Sequence, residues 1–285
     1  MTFRILTAAS ALALATSPAF GAAHAGNMGY ALADDGNTLV VMADIAAPGD
    51  VQTFDLSTEL DAIAWRPVTS ELLGYSDGMI YTINTATGEL TDLGATFMDD
   101  ATIDDGAMVA FDFNNAIDAV RAVSSNGDNL VYFPDGFGDN DERANSVRRF
   151  TNLAYAEGDG SAGMTPMIYA NAYTNAIAGQ TAGSTFQYAL DAESNALVSL
   201  ANNDGTLETI GAVTVDGVAL DLAPMGGFDI VSPAEGEDQA YAILQTEGSE
   251  TAGLYMIDLE TGAATELADL GMGGFSGFAV SMGGM

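Results

Sequence analysis

The chain has 285 residues, of which 40 are acidic and only six basic, giving a formal net charge of −34; it has no cysteine, one histidine, and arginine for every basic residue. This inventory excludes disulfides, cysteine nucleophiles and lysine Schiff bases, and it disfavours DNA, RNA and anionic lipid surfaces as partners because each needs basic contacts. Such an acidic, lysine-free surface is expected to keep the protein soluble in salty surroundings, with a cation-binding surface as the functional alternative.

Residues 1–25 have the pattern of a signal peptide: Arg4, an apolar run from Ile5 to Ala15, then a small-residue cleavage zone. The run is too short for a bilayer span, which takes ~20 residues. Ala19-Phe20-Gly21 and Ala23-His24-Ala25 both offer a cleavage frame, and the second is favoured. The sequence therefore predicts a periplasmic or secreted protein, not inserted in a membrane, whose residues 26–285 form one domain. With His24 in the cleavage zone, a Ser-His-Asp triad and a histidine- or cysteine-ligated zinc site are excluded as well.

Two patterns then alternate along the chain. The first is an apolar strand beginning near residues 63, 111, 169, 228 and 278, best seen in Ile63-Ala64-Trp65-Arg66, Phe111-Asp112-Phe113-Asn114 and Phe228-Asp229-Ile230. The second is a hairpin strand near residues 40, 81, 132, 188 and 255. Tyr81 to Leu93 and Tyr255 to Leu267 share the frame Tyr-x-Ile-Asn/Asp-x-x-Thr-Gly-x-x-Thr-x-Leu, and Tyr188 to Leu200 is a third copy. Alternating apolar residues give a strand with one buried face. The Asn or Asp starts a turn through its own backbone. Gly88, Asn195 and Gly262 occupy the slot where a positive φ is expected.

The repeating unit is about 50 residues, close to the blade of a propeller. The last first-strand piece, at Phe278, has no hairpin after it, and the first hairpin region, near residue 40, has no complete unit before it. These ends predict an all-β propeller closed by pairing of its N- and C-terminal strands, with about five blades; the spread in unit length also admits six or seven. A β-sandwich is the alternative fold. A turn of helix is expected at most in 101–110 and 140–149.

Five short segments carry a family resemblance: Phe111-Asp112-Phe113-Asn114-Asn115, Asp118-Ala119-Val120-Arg121, Asn129-Leu130-Val131, Ala172-Tyr173-Thr174-Asn175 and Asn203-Asp204-Gly205-Thr206-Leu207. Through them the chain resembles a bacterial family of exported proteins known only as a domain of unknown function. The family's Phe-Asp-Phe-Asn-Pro segment has lost its proline here, Asp-Arg-x-Arg keeps one arginine, and Asn-Leu-Arg has lost its arginine. The likeness runs from about Tyr30 to Val280 and implies no particular activity.

The remaining chemistry is that of oxygen ligands. Asp135, Asp139 and Asp141 concentrate carboxylates in one loop and are the candidate calcium ligands, since calcium takes 6–8 oxygens; the alternative is a solvated loop neutralised by Arg143, Arg148 and Arg149. Asp112, Asn114 and Asp229 fall on the strands expected to line the channel, with Arg66 in the slot of Asn114. They are candidate ligand-binding residues, as are Tyr173 and Asn175, the least repeated of the inner positions. Because the aspartate recurs, the competing expectation is that Asp112 and Asp229 hydrogen-bond neighbouring blades. Trp65 reads as core rather than as a sugar platform. The leading functional expectation is a monomeric, non-enzymatic module that binds a small molecule or an extracytoplasmic protein. Its alternatives are a calcium-dependent hydrolase of the lactonase or esterase kind, with its site at the channel mouth, and a salt-tolerant structural surface protein.

Overall fold

A computed structural model describes residues 26–283. The signal-peptide pattern and His24 lie outside the described residues. Five antiparallel sheets radiate from one axis as the blades of a propeller. Blade 1 joins Gly277–Ser281 (β24) to Met28–Ala33 (β1), Thr38–Met42 (β2) and Val51–Asp55 (β3). Blade 2 runs Ala62–Arg66 (β4), Glu71–Ser76 (β5), Met79–Ile83 (β6) and Leu90–Asp92 (β7). Blade 3 is built on Val109–Asn114 (β9), Ala119–Ser124 (β10), Asn129–Phe133 (β11) and Ser146–Arg149 (β12). Blade 4 comprises Ile168–Tyr173 (β14), Gln187–Asp191 (β15), Ala196–Ala201 (β16) and Thr206–Ala212 (β17). Blade 5 comprises Leu222–Val231 (β20), Gln239–Thr246 (β21), Ala252–Ile257 (β22) and Ala263–Asp269 (β23). Short strands at Thr96–Phe97 (β8), Ala154–Tyr155 (β13) and Thr214–Val215 (β18) each add in parallel to the outer edge of the blade that follows them.

The ring closes as the repeat predicts. β1 pairs antiparallel with β24, from Met28 opposite Ser281 to Leu32 opposite Gly277. The last strand thus becomes the innermost strand of the first blade, and an edge that would otherwise invite intermolecular pairing is covered. Inner strands β4, β9, β14, β20 and β24 pack side by side around the axis, each touching the next.

Alternation along the strands builds the core, because successive side chains of a strand point to opposite faces. In β1, Tyr30 and Leu32 pack against blade 2, while Ala31 and Ala33 pack against blade 5. Five apolar clusters of this kind fill the five gaps between blades. The hairpin turns take the expected geometry: Gly88, Asn195 and Gly262 have φ of +73°, +55° and +78°. Asn84, Asp191 and Asp258 each accept a backbone N–H two residues on.

Two expectations are refined. The hairpin strands near 40, 81, 132 and 255 are third strands of their blades, but the one at Tyr188 is the second strand of blade 4, where β16 stands third. A hairpin frame reports a local turn, and blade 4 uses it one strand earlier. The segments 101–110 and 140–149 hold turns and strand rather than helix. A 3-10 turn occurs at Asn202–Asp204, and among the described residues no helix is long and apolar enough to cross a membrane.

Removing residues 277–285 is expected to abolish cooperative thermal unfolding and to produce oligomers on size-exclusion chromatography, because β1 becomes an uncovered edge. A monomeric product with an unchanged melting curve would contradict this closure.

Candidate functional site

All five inner strands run in the same direction along the axis, so their starts define one face of the ring and their ends the other. The two faces are built differently.

At the end face, the axis is covered by the segment between β14 and β15. Gly179 N–H donates to Pro67 O in blade 2 (2.9 Å), and Ala182 N–H donates to Asn115 O in blade 3 (3.1 Å). Asn175, held at φ +59°, locks the segment to blade 5. Its backbone N–H donates to Asp238 Oδ1 (2.8 Å), and its Oδ1 accepts from Gly236 N (2.6 Å). Its Nδ2 donates to Ser184 O (2.9 Å). Asn114 Oδ1 accepts from Thr185 Oγ1 (2.9 Å) and from Ala116 N (3.1 Å). Under this plug Ala176, Ala178, Pro67, Asp229 and Val280 line a void of only about 10 Å³.

The remaining predicted ligand residues are engaged between blades. Arg66 makes a two-pronged pair with Asp118 of blade 3, at 2.8 and 2.5 Å, and also reaches Glu71 (3.2 Å). Asp112 Oδ2 accepts the backbone N–H of Tyr173 in the next blade (2.6 Å). Asp229 Oδ2 likewise accepts Val280 N–H across the closing seam (2.5 Å), and its Oδ1 accepts Ile230 N–H (2.7 Å). The aligned slot in β4 and β24 holds Ala64 and Ala279, so the two aspartates are clasps added to two of the seams. Burial pushes both carboxyls up, Asp112 well above the usual carboxylate range with the added repulsion of Asp229, and Asp229 up to about 7.

Arg121 gathers the segments that carry the family resemblance. It is 3% exposed, and it donates to Tyr173 Oη (2.8 Å), Asn203 Oδ1 (2.8 Å) and Asn129 Oδ1. Tyr173 Oη in turn donates to Asn202 Oδ1 (2.8 Å), and Asn129 Nδ2 donates to Thr151 O and Asn202 O. Phe150 lies under the guanidinium at 5.6 Å. A buried cation solvated by neutral amides and a phenol stitches blade 3 to blade 4.

The proposed calcium ligands do not converge. Asp141 is held by Arg143 (2.6 Å), which draws its carboxyl down to about 2, and Asp135 lies in a separate cleft beside Arg66, Glu71 and Asp92. Among the described residues no group of three or more Asp, Glu, His or Cys side chains is placed to hold a metal ion.

The start face is open. There a funnel of about 350 Å³ is lined from all five blades, by the β1–β2 turn at Asp35, the approaches to β4, β9 and β24, Tyr169 near the start of β14 and Pro224 to Gly226 in the first part of β20. Asp35, Glu59 and Asp61 give it an acidic side; Met108, Val109, Pro224, Met225 and Phe275 give it an apolar side. Among the described residues no arginine lines it. Burial raises the Asp61 carboxyl, as do the charges of Glu59 and Asp77, against a backbone N–H from Asp77 that lowers it. Below the funnel the axis narrows to a waist of about 10 Å³, where Gly227 and Gly277 allow the strands to close in. Tyr169 and Ser276 line both funnel and waist, and Asn171 lines the waist. Tyr169 Oη, Ser276 Oγ and both polar atoms of Asn171 are buried and make no hydrogen bond among the described residues. Buried polar groups are normally paired, and these unpaired ones belong to residues that line the axial cavities.

A larger open groove, about 450 Å³, runs along blade 2 beside Trp65. Trp65 stacks on Tyr30 (5.4 Å, 7°) as part of the seam between blades 1 and 2, and no unpaired buried side chain lines the groove. The funnel is therefore the candidate site. Sequence reasoning missed most of its residues because they lie outside the repeats, while Tyr169 begins one and read as an apolar strand position; the available signal was glycine before or within the inner strands, as at Gly106, Gly226-Gly227 and Gly273-Gly274.

The class defined by these features is a five-bladed propeller with one plugged and one open axial face. Residues 39–279 match the family described as Domain of unknown function (DUF4394), and the chain belongs to that family. No curated protein matches the sequence. Among solved structures, a protein of unknown function from Bacteroides caccae is similar at 9% identity, with 90% of this chain and 99% of that chain covered and a TM-score of 0.40. A second protein of unknown function, from Bacteroides thetaiotaomicron VPI-5482, is 14% identical, with 88% and 56% covered and a TM-score of 0.47. An auxiliary nutrient binding protein from the same organism is 13% identical, with 75% and 55% covered and a TM-score of 0.43.

The clasp pair yields a pH prediction. A carboxyl raised on folding contributes stability that is full below its unfolded pKa of about 4 and is lost as pH rises through the folded value. Asp112→Ala leaves Tyr173 N–H without its acceptor, a cost of about 1–3 kcal/mol. At pH 8 that loss is partly offset by relief of the repulsion on Asp229. Urea unfolding is expected to show a larger destabilisation by Asp112→Ala at pH 5 than at pH 8; an equal loss at both would refute the coupling.

Proposed function

We propose that this chain is an exported, non-catalytic binding module that holds a small organic cation in the axial funnel. The observation that carries the reading is the convergence of all five blades on one concavity that combines Asp35, Glu59 and Asp61 with the buried, unpaired Tyr169 hydroxyl. A pocket with an apolar wall and few polar groups is the usual form of a small-molecule site. Here the charged groups are all acidic, and the surrounding molecule, at −34, adds a field of the same sign. A ligand with a positive charge and an apolar body satisfies both sides of the funnel and relieves the repulsion between Asp61 and Glu59. Export rests on the leader-like residues 1–25, and the binding role on a site that presents no nucleophile and base in contact.

Isothermal titration calorimetry with butyltrimethylammonium, 1-aminobutane and butyrate tests the reading. Both cations are expected to bind and butyrate is not. The triple variant Asp35→Asn, Glu59→Gln, Asp61→Asn is expected to weaken cation binding at least tenfold, about 1.4 kcal/mol, and raised salt is expected to weaken it in the wild type. Tight butyrate binding, or cation binding unchanged in the triple variant, would overturn it.

A further inference from the structure

The funnel alone accounts for a charged ligand with an apolar body, but not for the polar atoms beneath it. From the waist we infer that the ligand is a linear aliphatic diamine, standing on the axis with one primary ammonium in the waist and the other among the rim carboxylates. This rests on the cationic reading of the funnel and specifies its ligand.

The waist sets the size and chemistry of the inner group. Its volume of about 10 Å³ is that of roughly one water molecule. A primary ammonium is of that size, whereas a trimethylammonium or a carboxylate is larger. An ammonium has three N–H donors and no acceptor. Tyr169 Oη, Asn171 Oδ1 and Ser276 Oγ are three buried oxygens without a partner in the protein, and all three residues line the waist. Tyr169 and Asn171 are 4% and 1% exposed. Desolvating a charge is tolerated only where it is paired and hydrogen-bonded. Deeper in the ring Asp112 and Asp229 repel one another, and a positive charge on the axis lowers that repulsion.

The middle and outer parts of the ligand follow. Met108, Val109, Pro224 and Phe275 offer the funnel's apolar wall to a methylene chain. Asp35, Glu59 and Asp61 lie at its acidic side and suit a second ammonium. Anchors at both ends, with an apolar passage between them, select a linear molecule charged at each end.

The test compares 1,4-diaminobutane, 1-aminobutane and butyltrimethylammonium by calorimetry on the wild-type protein, Tyr169→Phe and Ser276→Ala. In the wild type the diamine is expected to bind at least tenfold more tightly than 1-aminobutane, and 1-aminobutane more tightly than the quaternary ion. Tyr169→Phe removes a hydroxyl that has no partner in the free protein, so its melting temperature is expected to hold or rise while the preference for primary over quaternary ammonium is lost. Ser276→Ala is expected to reduce the same preference. If the quaternary ion binds the wild type as tightly as 1-aminobutane, or Tyr169→Phe keeps the preference, the waist assignment is overturned and the cationic funnel stands. If no cation binds, both readings fall.

Discussion

The rest of the structure depends on closing five sheets around an axis whose waist holds about one water molecule. A Cβ added at Gly227 would lie 2.4 Å from Phe278 N of the neighbouring blade. Small residues therefore crowd the inner strands: Ala62, Ala64, Ala110, Ala170, Ala172 and Ala279 are all buried there. Because the strands approach so closely, a short side chain such as Asp112 or Asp229 can span to the next blade and take up a backbone N–H. The same crowding reduces the channel to a waist of about one water, so the axis becomes a dead-ended site rather than a passage.

The architecture was largely legible because it is repetitive. Four inner strands begin within two residues of where the apolar pattern places them, β20 begins six residues earlier at Leu222, and the unpaired ends at residue 40 and Phe278 announce the closure between β1 and β24. What was legible as a hairpin was less reliable as a position in a blade. The Tyr188 copy shows that a turn signal encodes two strands and the slot between them, and is indifferent to which strands they are.

The site was hidden for a different reason. Asp35, Glu59 and Asp61 are three among 40 acidic residues, one in the β1–β2 turn and two in the approach to β4, where no period distinguishes them. Arg66, Asp112, Asn114, Tyr173 and Asp229, the polar residues that the inner-strand repeats make conspicuous, bond within the scaffold. Asn175 and Asn114 anchor the plug, Arg66 bridges to Asp118, and Tyr173 supports Arg121. These partners are far apart in the chain, as Arg121 and Asn203 are, and only the folded ring brings them together. The family segments thus mark architecture: Asp118, Arg121, Asn129, Tyr173 and Asn203 are joints between blades.

The pairing of β1 with β24 also orders events in time. Blade 1 receives its innermost strand from the last residues of the chain, so a polypeptide emerging from its N-terminus can complete blades 2 to 5 while blade 1 waits. Contacts between residues near 30 and 280 are about as non-local as the chain permits, and such contacts form slowly. Until they form, β1 presents an open edge and the axis lacks one of its five walls. The fifth wall of the axis is therefore supplied by the last residues of the chain.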